Sequence, residues 1–271
     1  MTQLEPPLKS KTRSFLKKKG IIEIFSFIAV VGIWEFVAVF IVKNKFALPS
    51  FHSVVVSFFE FLSSGVMLMD ILTSLLHLAI GLTAAVCIGI PIGAVTGWFR
   101  IADRIAYPIV EILRPIPPLA WIPFALIWLH LTHYAAGFIV FIGAMFPILV
   151  NTYAGFRNVP KILVESAKVL GCTKDHSLVR AVAFPSALPF ITTGIRIGTG
   201  VGWMCIVAAE YFGVSKSGLG YRLWIEGYWL HHMDNFLAYM IAIGLVALFL
   251  DRFFRFLFEE KLLKWRKEIV V

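Results

Sequence analysis

Charge is scarce in this sequence. Only 15% of the 271 residues are Asp, Glu, Lys or Arg, against 59% hydrophobic residues, and the mean hydropathy is +0.84. A soluble domain holds about a quarter charged and about half apolar residues, so a water-soluble globule is excluded first. Acidic residues are the rarer sign, 16 against 25 basic ones, which leaves a net charge of +9. In a soluble chain that excess would suggest a nucleic-acid partner. Here the basic residues sit in short segments beside apolar runs, where topology and anionic lipid account for them. A lipid bilayer is the expected partner, and no nucleic acid.

Cysteine is almost absent as well. Cys87, Cys172 and Cys205 are scattered and form no CxxC pair. Two of them fall in apolar runs and read as packing residues, so neither a disulfide nor a metal site is expected. Also missing is a GxxxxGK[ST] phosphate loop; the stretch 213–220, GVSKSGLG, has glycines and a lysine at the wrong spacing. The chain is therefore not equipped to bind ATP. No nucleophile–base or metal constellation argues for an enzyme, and there is no low-complexity tract, internal repeat or second soluble domain. His130 and His133 make an HxxH but lack a third ligand, so they read as interfacial histidines.

What the sequence has is long apolar runs. A membrane span needs about 17–25 predominantly apolar residues, and six such spans read near 20–42, 71–98, 106–130, 134–156, 187–212 and 235–258. The first is too long for a signal-peptide core and lacks a small-residue cleavage site, so it is expected to remain as an anchor. Placing the basic segment 1–19 in the cytoplasm puts 19 Lys and Arg on that side and 4 on the other. The positive-inside rule favours this orientation, with both termini cytoplasmic in a multi-pass cell-membrane protein. The segment 48–65 is too short and polar to span. Val54, Val55, Phe58, Phe59 and Leu62 recur at helical spacing, which suggests a helix at the outer interface.

Local patterns refine the spans. Gly81, Ala85, Gly89, Gly93 and Gly97 recur every four residues in span two, a stripe that lets helix backbones approach in lipid. Pro115, Pro117, Pro118 and Pro123 exclude one regular helix through span three. A short cytoplasmic-side helix, a break and then the span proper are expected there. In span five Thr192, Arg196, Thr199, Trp203 and Glu210 share one arc of the helix, while Gly194, Gly198, Gly202, Cys205 and Ala209 occupy the other side. Ionisable groups in spans are costly and thus candidates for function. The polar face is a candidate translocation path, with Arg196 favouring an anion. The alternative is an Arg196 that snorkels, or is neutralised by Glu111 or Glu210. Glu111 and Arg114 are spaced for a helical ion pair, and the role of Glu35 is open.

Between spans four and five lies a polar cytoplasmic stretch, about 157–186. Asn158 is placed to cap a helix there, with Pro160 in its first turn. Ile162, Ser166 and Leu170 fall on one face, with Leu163 and Ala167 beside them, and Gly171 suits a left-handed helix end. A second helical piece with Leu178, Val179 and Val182 follows. The product is a helical hairpin with an apolar face and no membrane to bury it. Either it folds back on this chain's own cytoplasmic ends, or it docks a partner protein.

These residues resemble the EAA loop of permease subunits in ATP-binding-cassette importers, as Glu165-Ser166-Ala167, Gly171 and Phe184-Pro185. The stretches LPSFHSV, RPIPPLAWIPFALIW, FPILVNTYAGFRNVP, LPFITTGIRIGTGVGW and AAEYFGVSKSGLG resemble the branch that handles nitrate, sulfonates, taurine and bicarbonate. The likeness runs from about Leu48 to Lys261. Ser166 stands where Ala is usual, and the Gly171–Pro185 interval is one residue longer than the family's. The resemblance implies an all-α, type I importer permease fold of six transmembrane helices, with its permease domain over 66–258 and a cytoplasmic tail at 259–271. It implies that Glu165, Ser166, Ala167 and Gly171 couple to an ATPase, and that two cytoplasmic ATPase chains use ATP and Mg while this chain binds no cofactor. It further implies an extracytoplasmic solute-binding protein, a second permease copy as a homodimer, and alternating access. A self-sufficient channel or secondary transporter is the competing reading.

Overall fold

The computed structural model describes Ile22, Phe25, Ser26 and residues 28–262. The basic segment 1–19, most of the first eight residues of the expected first span and the tail beyond 262 lie outside the described residues. Among the described residues the chain is helical with no strand. Helices α1 (Ile28–Val42) and α2 (Phe51–Ser63) lead into the long α3 (Val66–Trp98). Then come α4 (Arg100–Leu113), α5 (Pro118–Leu129) and α6 (His133–Arg157). The short α7 (Lys161–Val169) precedes α8 (Asp175–Tyr211), α9 (Leu219–Leu223) and α10 (Met233–Phe258).

Helices α3, α6, α8 and α10 are each long and apolar enough to cross a membrane, and the α4–α5 pair makes up to five spans. The described part of α1, about 22 Å long at 1.5 Å per residue, falls short of the roughly 30 Å hydrocarbon core. Span three is a broken element: α4 and α5 meet at 87°. Pro115, Pro117 and Pro118 sit at the corner, where a helix would need backbone N–H donors that proline lacks. The expected break is there, but the piece beyond it is only about 18 Å long, not a full crossing.

Helix α6 is the axis of the bundle. Two thirds of its apolar stretch (67%) is buried, against 28% for α3, 33% for α8 and 22% for α10. Glycine stripes on both flanking helices explain this. A Cβ at Gly93 of α3 would come within 2.6 Å of the Leu149 carbonyl, and one at Gly97 within 2.7 Å of the Tyr153 carbonyl. On the opposite side, a Cβ at Gly198 of α8 would lie 3.0 Å from the Ala144 carbonyl. Lipid offers no hydrophobic drive to pair helices, so such close backbone packing is what holds them.

Helix α2 packs into the bundle. Ser50 caps it, accepting from Ser53 N–H at 3.2 Å, and Val54 and Ser57 are buried. Phe58 and Phe61 pack on the main core, Phe61 edge-on to Tyr239 at 5.2 Å, while Phe59 and Leu62 stay exposed. The inward face is therefore 54/57/58/61, rotated from the set read in the sequence. Glu35 accepts from Phe51 N–H at 2.7 Å, and Trp34 Nε1–H donates to Pro49 O at 3.1 Å. A carboxylate at the start of α2 satisfies a free donor and complements the helix dipole.

Candidate functional site

The hairpin after α6 is built by local rules. Asn158 does not cap α7: its Nδ2 donates to Ala154 O at 2.9 Å and so closes α6, and Pro160 takes the cap position of α7. The same Ala154 carbonyl also accepts the Asn158 backbone N–H at 3.1 Å, so Asn158 holds the last turn of α6 twice. At the other end Gly171 adopts φ +92°. Gly171 N–H donates to Lys168 O (3.0 Å) and Cys172 N–H to Ala167 O (2.9 Å). That paired closure is a Schellman turn, and it needs the left-handed backbone glycine supplies.

Glu165 and Ser166 on α7 are exposed, and Ala167 is half-buried. Ile162 is also exposed, and Val169 and Leu170 reach 87% exposure. The rest of the described chain does not cover them. The hairpin's second piece is not separate from span five: from Asp175 the chain runs through a π-helical turn at Val179–Ala183 into α8. A force on the hairpin would thus act directly on α8.

The polar face of α8 opens on a cavity shared with α10. Arg196, Thr199 and Trp203 line about 250 Å³ together with Leu250 and Asp251. A second space of about 510 Å³ adjoins it through Arg196 and Asp251, and adds Thr192, Thr193 and Arg255. Arg196 Nε donates to Asp251 Oδ1 at 2.9 Å, and Asp251 Oδ2 accepts from Arg255 Nη2 at 3.4 Å. Neither Glu111 nor Glu210 is the partner. Thr199 Oγ donates to Ile195 O at 2.8 Å, which leaves its lone pairs as the available function. Trp203 is buried, and its indole N–H has no acceptor among the described residues. An unmet buried donor costs about 1–3 kcal/mol. The cleft therefore presents a guanidinium and a hydroxyl acceptor within two helical turns, with the buried indole of Trp203 in its wall.

Glu210 is not part of that cleft. It is fully buried and accepts from Ser74 Oγ (2.9 and 2.8 Å), Gly220 N–H (3.0 Å) and His77 Nδ1 (2.8 Å). Ser74 Oγ in turn accepts from Leu219 N–H at 2.9 Å. The glycines of GVSKSGLG serve this carboxylate: a Cβ at Gly218 would run into it, and one at Gly220 would meet Glu210 Cβ at 2.9 Å. Beside it Asp70 accepts from Arg222 Nε (3.1 Å), Tyr239 Oη (3.0 Å) and Gly218 N–H (3.4 Å). Burial opposes charge on Arg222, but Asp70 outweighs it and holds the guanidinium's pKa above its ordinary value. His133 Nδ1 lies 2.7 Å from His77 Nε2.

Three buried ionisable groups, Asp70, His77 and Glu226, are absent from the sequence reading; of these only His77 falls within a span read there, where a polar residue is itself a signal. Glu111 and Arg114 line a 410 Å³ pocket with Tyr107 and Asp103. The expected ion pair between them is not formed among the described residues; Glu111 accepts from Tyr107 Oη at 3.3 Å.

With fold and site in view, the chain belongs to the family described as binding-protein-dependent transport system inner membrane component, which it matches over residues 89–259. It is a multi-pass membrane protein of the ABC permease class. A Methanocaldococcus jannaschii protein named for an ABC transporter permease is 40% identical over 88% of this chain and 89% of its own length. A nitrate import permease of Synechocystis is 38% identical over 70% of this chain and 68% of its own. A Bacillus subtilis protein named for aliphatic sulfonate transport is 32% identical over 88% and 84%.

Proposed function

We propose that this chain forms the membrane path of an ATP-driven, binding-protein-dependent importer for a small anion such as a sulfonate, taurine, nitrate or bicarbonate. The uncovered apolar residues at the end of α7, Val169 and Leu170 at 87% exposure, one turn before the chain enters α8 at Asp175, carry this reading. Such a face in water requires a protein partner. A separate ATPase, using ATP and Mg, fits there. Glu165, Ser166, Ala167 and Gly171 form the joint, and α8 transmits its movement to the cleft.

In the cleft, Arg196 attracts the anion electrostatically, and Thr199 and the Trp203 side chain line its way. The anionic cargo of the nitrate- and sulfonate-named relatives supports a guanidinium in that position. One chain offers one hairpin, so two permeases and two ATPases make a symmetric importer that alternates access. Both termini and the hairpin face the cytoplasm, and a solute-binding protein delivers from the other side. The first span completes six crossings.

Reconstitution tests this. Co-purification with an ATPase, and uptake into liposomes that vanadate blocks, is the expected result. Uptake by the lone chain driven by an ion gradient alone would overturn the proposal.

A further inference from the structure

The cleft between α8 and α10 does not present its two arginines as bare cations, because a carboxylate stands between them. Asp251 Oδ1 accepts from Arg196 Nε at 2.9 Å, and Oδ2 accepts from Arg255 Nη2 at 3.4 Å. Among the described residues that line the two spaces, these three are the ionisable ones. Two guanidinium groups against one carboxylate leave the lining with a net charge of +1. Both spaces share Asp251 with Arg196, so an anion beside the guanidinium in either one is also beside the carboxylate.

The threonine hydroxyls add no donor. Thr192 and Thr193 both donate to Pro189 O, at 2.9 and 2.8 Å, and Thr199 donates to Ile195 O at 2.8 Å. Their hydrogens are spent on the helix. An anion that leaves water for this cleft must therefore find its replacement donors on the guanidinium groups.

We infer that Asp251 is a charge filter, admitting singly charged oxyanions to Arg196 and turning away doubly charged ones. This rests on the reading of the cleft as an anion path and narrows its cargo to monoanions. A sulfonate, nitrate or bicarbonate fits that class; sulfate does not.

The physical reason is a difference in scaling. Attraction to the cleft grows in proportion to the anion's charge. The Born cost of stripping water grows with the square of that charge, so a dianion loses about four times what a monoanion of equal size loses. A lining of net +1 offsets the smaller cost far better than the larger one. Neutralising Asp251 would raise the lining to +2. It would also remove a repulsion that acts twice on a dianion and once on a monoanion.

Gly200 supplies a readout at the site itself, since it lines both spaces and a Cβ there meets nothing within 4 Å. The parent protein for the test lacks Cys87, Cys172 and Cys205 and carries Gly200→Cys. It is assembled with the rest of the transporter in phosphatidylcholine nanodiscs, which hold no net-anionic headgroup to compete. Alkylation of the introduced thiol by uncharged iodoacetamide is followed against methanesulfonate and sulfate at constant ionic strength. Methanesulfonate is expected to protect, and sulfate to fail at the same concentration. Asp251→Asn should shift the ratio of half-protecting concentrations toward sulfate on the order of tenfold. Asp251→Glu, which keeps the charge, should leave sulfate excluded. The filter is overturned if sulfate protects the parent as well as methanesulfonate does, if Asp251→Asn leaves the ratio unchanged, or if Asp251→Glu admits sulfate. In those cases the anion path still stands. Methanesulfonate that never protects, or protection that survives Arg196→Gln, strikes the path and the filter together.

Discussion

Arg196 of α8 and Asp251 of α10 are joined Nε to Oδ1 at 2.9 Å across 55 residues of sequence, and both cavities of the cleft share them. Their side chains are 35% and 41% exposed, so solvent reaches the pair. An ion pair of this kind adds little to stability. Its weight is electrostatic: a guanidinium held beside a space large enough for a small oxyanion.

The first prediction concerns that charge. Arg196→Gln should lower anion uptake on the order of tenfold, the factor corresponding to about 1.4 kcal/mol, while the complex still assembles. Asp251→Asn removes a competing carboxylate and should preserve uptake. Arg196→Gln with uptake and substrate-stimulated ATP hydrolysis both intact would contradict the role given to Arg196.

Packing supplies the second. Gly93→Val places branched carbon against the Leu149 carbonyl and Thr152, where even a Cβ comes within 2.6–2.8 Å. Overpacking of this sort costs about 1–3 kcal/mol. The purified complex should melt several degrees lower. Gly200→Ala, where nothing lies within 4 Å, should leave the melting temperature unchanged.

A third prediction tests the tie between α1 and α2. Glu35→Ala removes the acceptor for Phe51 N–H and should cost about 1 kcal/mol, as the loss of a helix cap does. Glu35→Gln retains an acceptor oxygen and should cost less. Thermal unfolding of the two variants side by side distinguishes them.

Gly171 gives the fourth. A valine at φ +92° is strained by about 1–2 kcal/mol, and the strain falls on a hairpin with little contact to the bundle. Gly171→Val should leave insertion and the bundle's melting intact but reduce ATP-coupled uptake.

The features legible in the sequence are those set by short-range periodicity. The four-residue glycine interval on α3 is local, and the structure turns it toward α6. The left-handed end at Gly171 and the break at Pro115–Pro118 are likewise written in adjacent residues. Pairings across distance are what periodicity misses. A helical wheel sets Glu210 in one arc with Arg196, but fourteen residues separate them, about 21 Å along the axis. Angle alone cannot see that. Asp251 escapes notice because it stands beside Arg252 and Arg255 at the basic end of α10, where neighbouring charges offer it local partners. Asn158 misleads because a side-chain amide between two helices can serve either one; it serves the one behind it.

Import as proposed requires α7 to meet a nucleotide-hydrolysing chain. In protein lacking Cys87, Cys172 and Cys205, a Lys168→Cys side chain on exposed α7 can be cross-linked in membranes that contain the whole transporter. The expected product joins this chain to the ATPase, and its yield changes when ATP is trapped with vanadate. A thiol introduced at that position that reacts only with reagents confined to the extracytoplasmic side, or never reaches the ATPase, would contradict it.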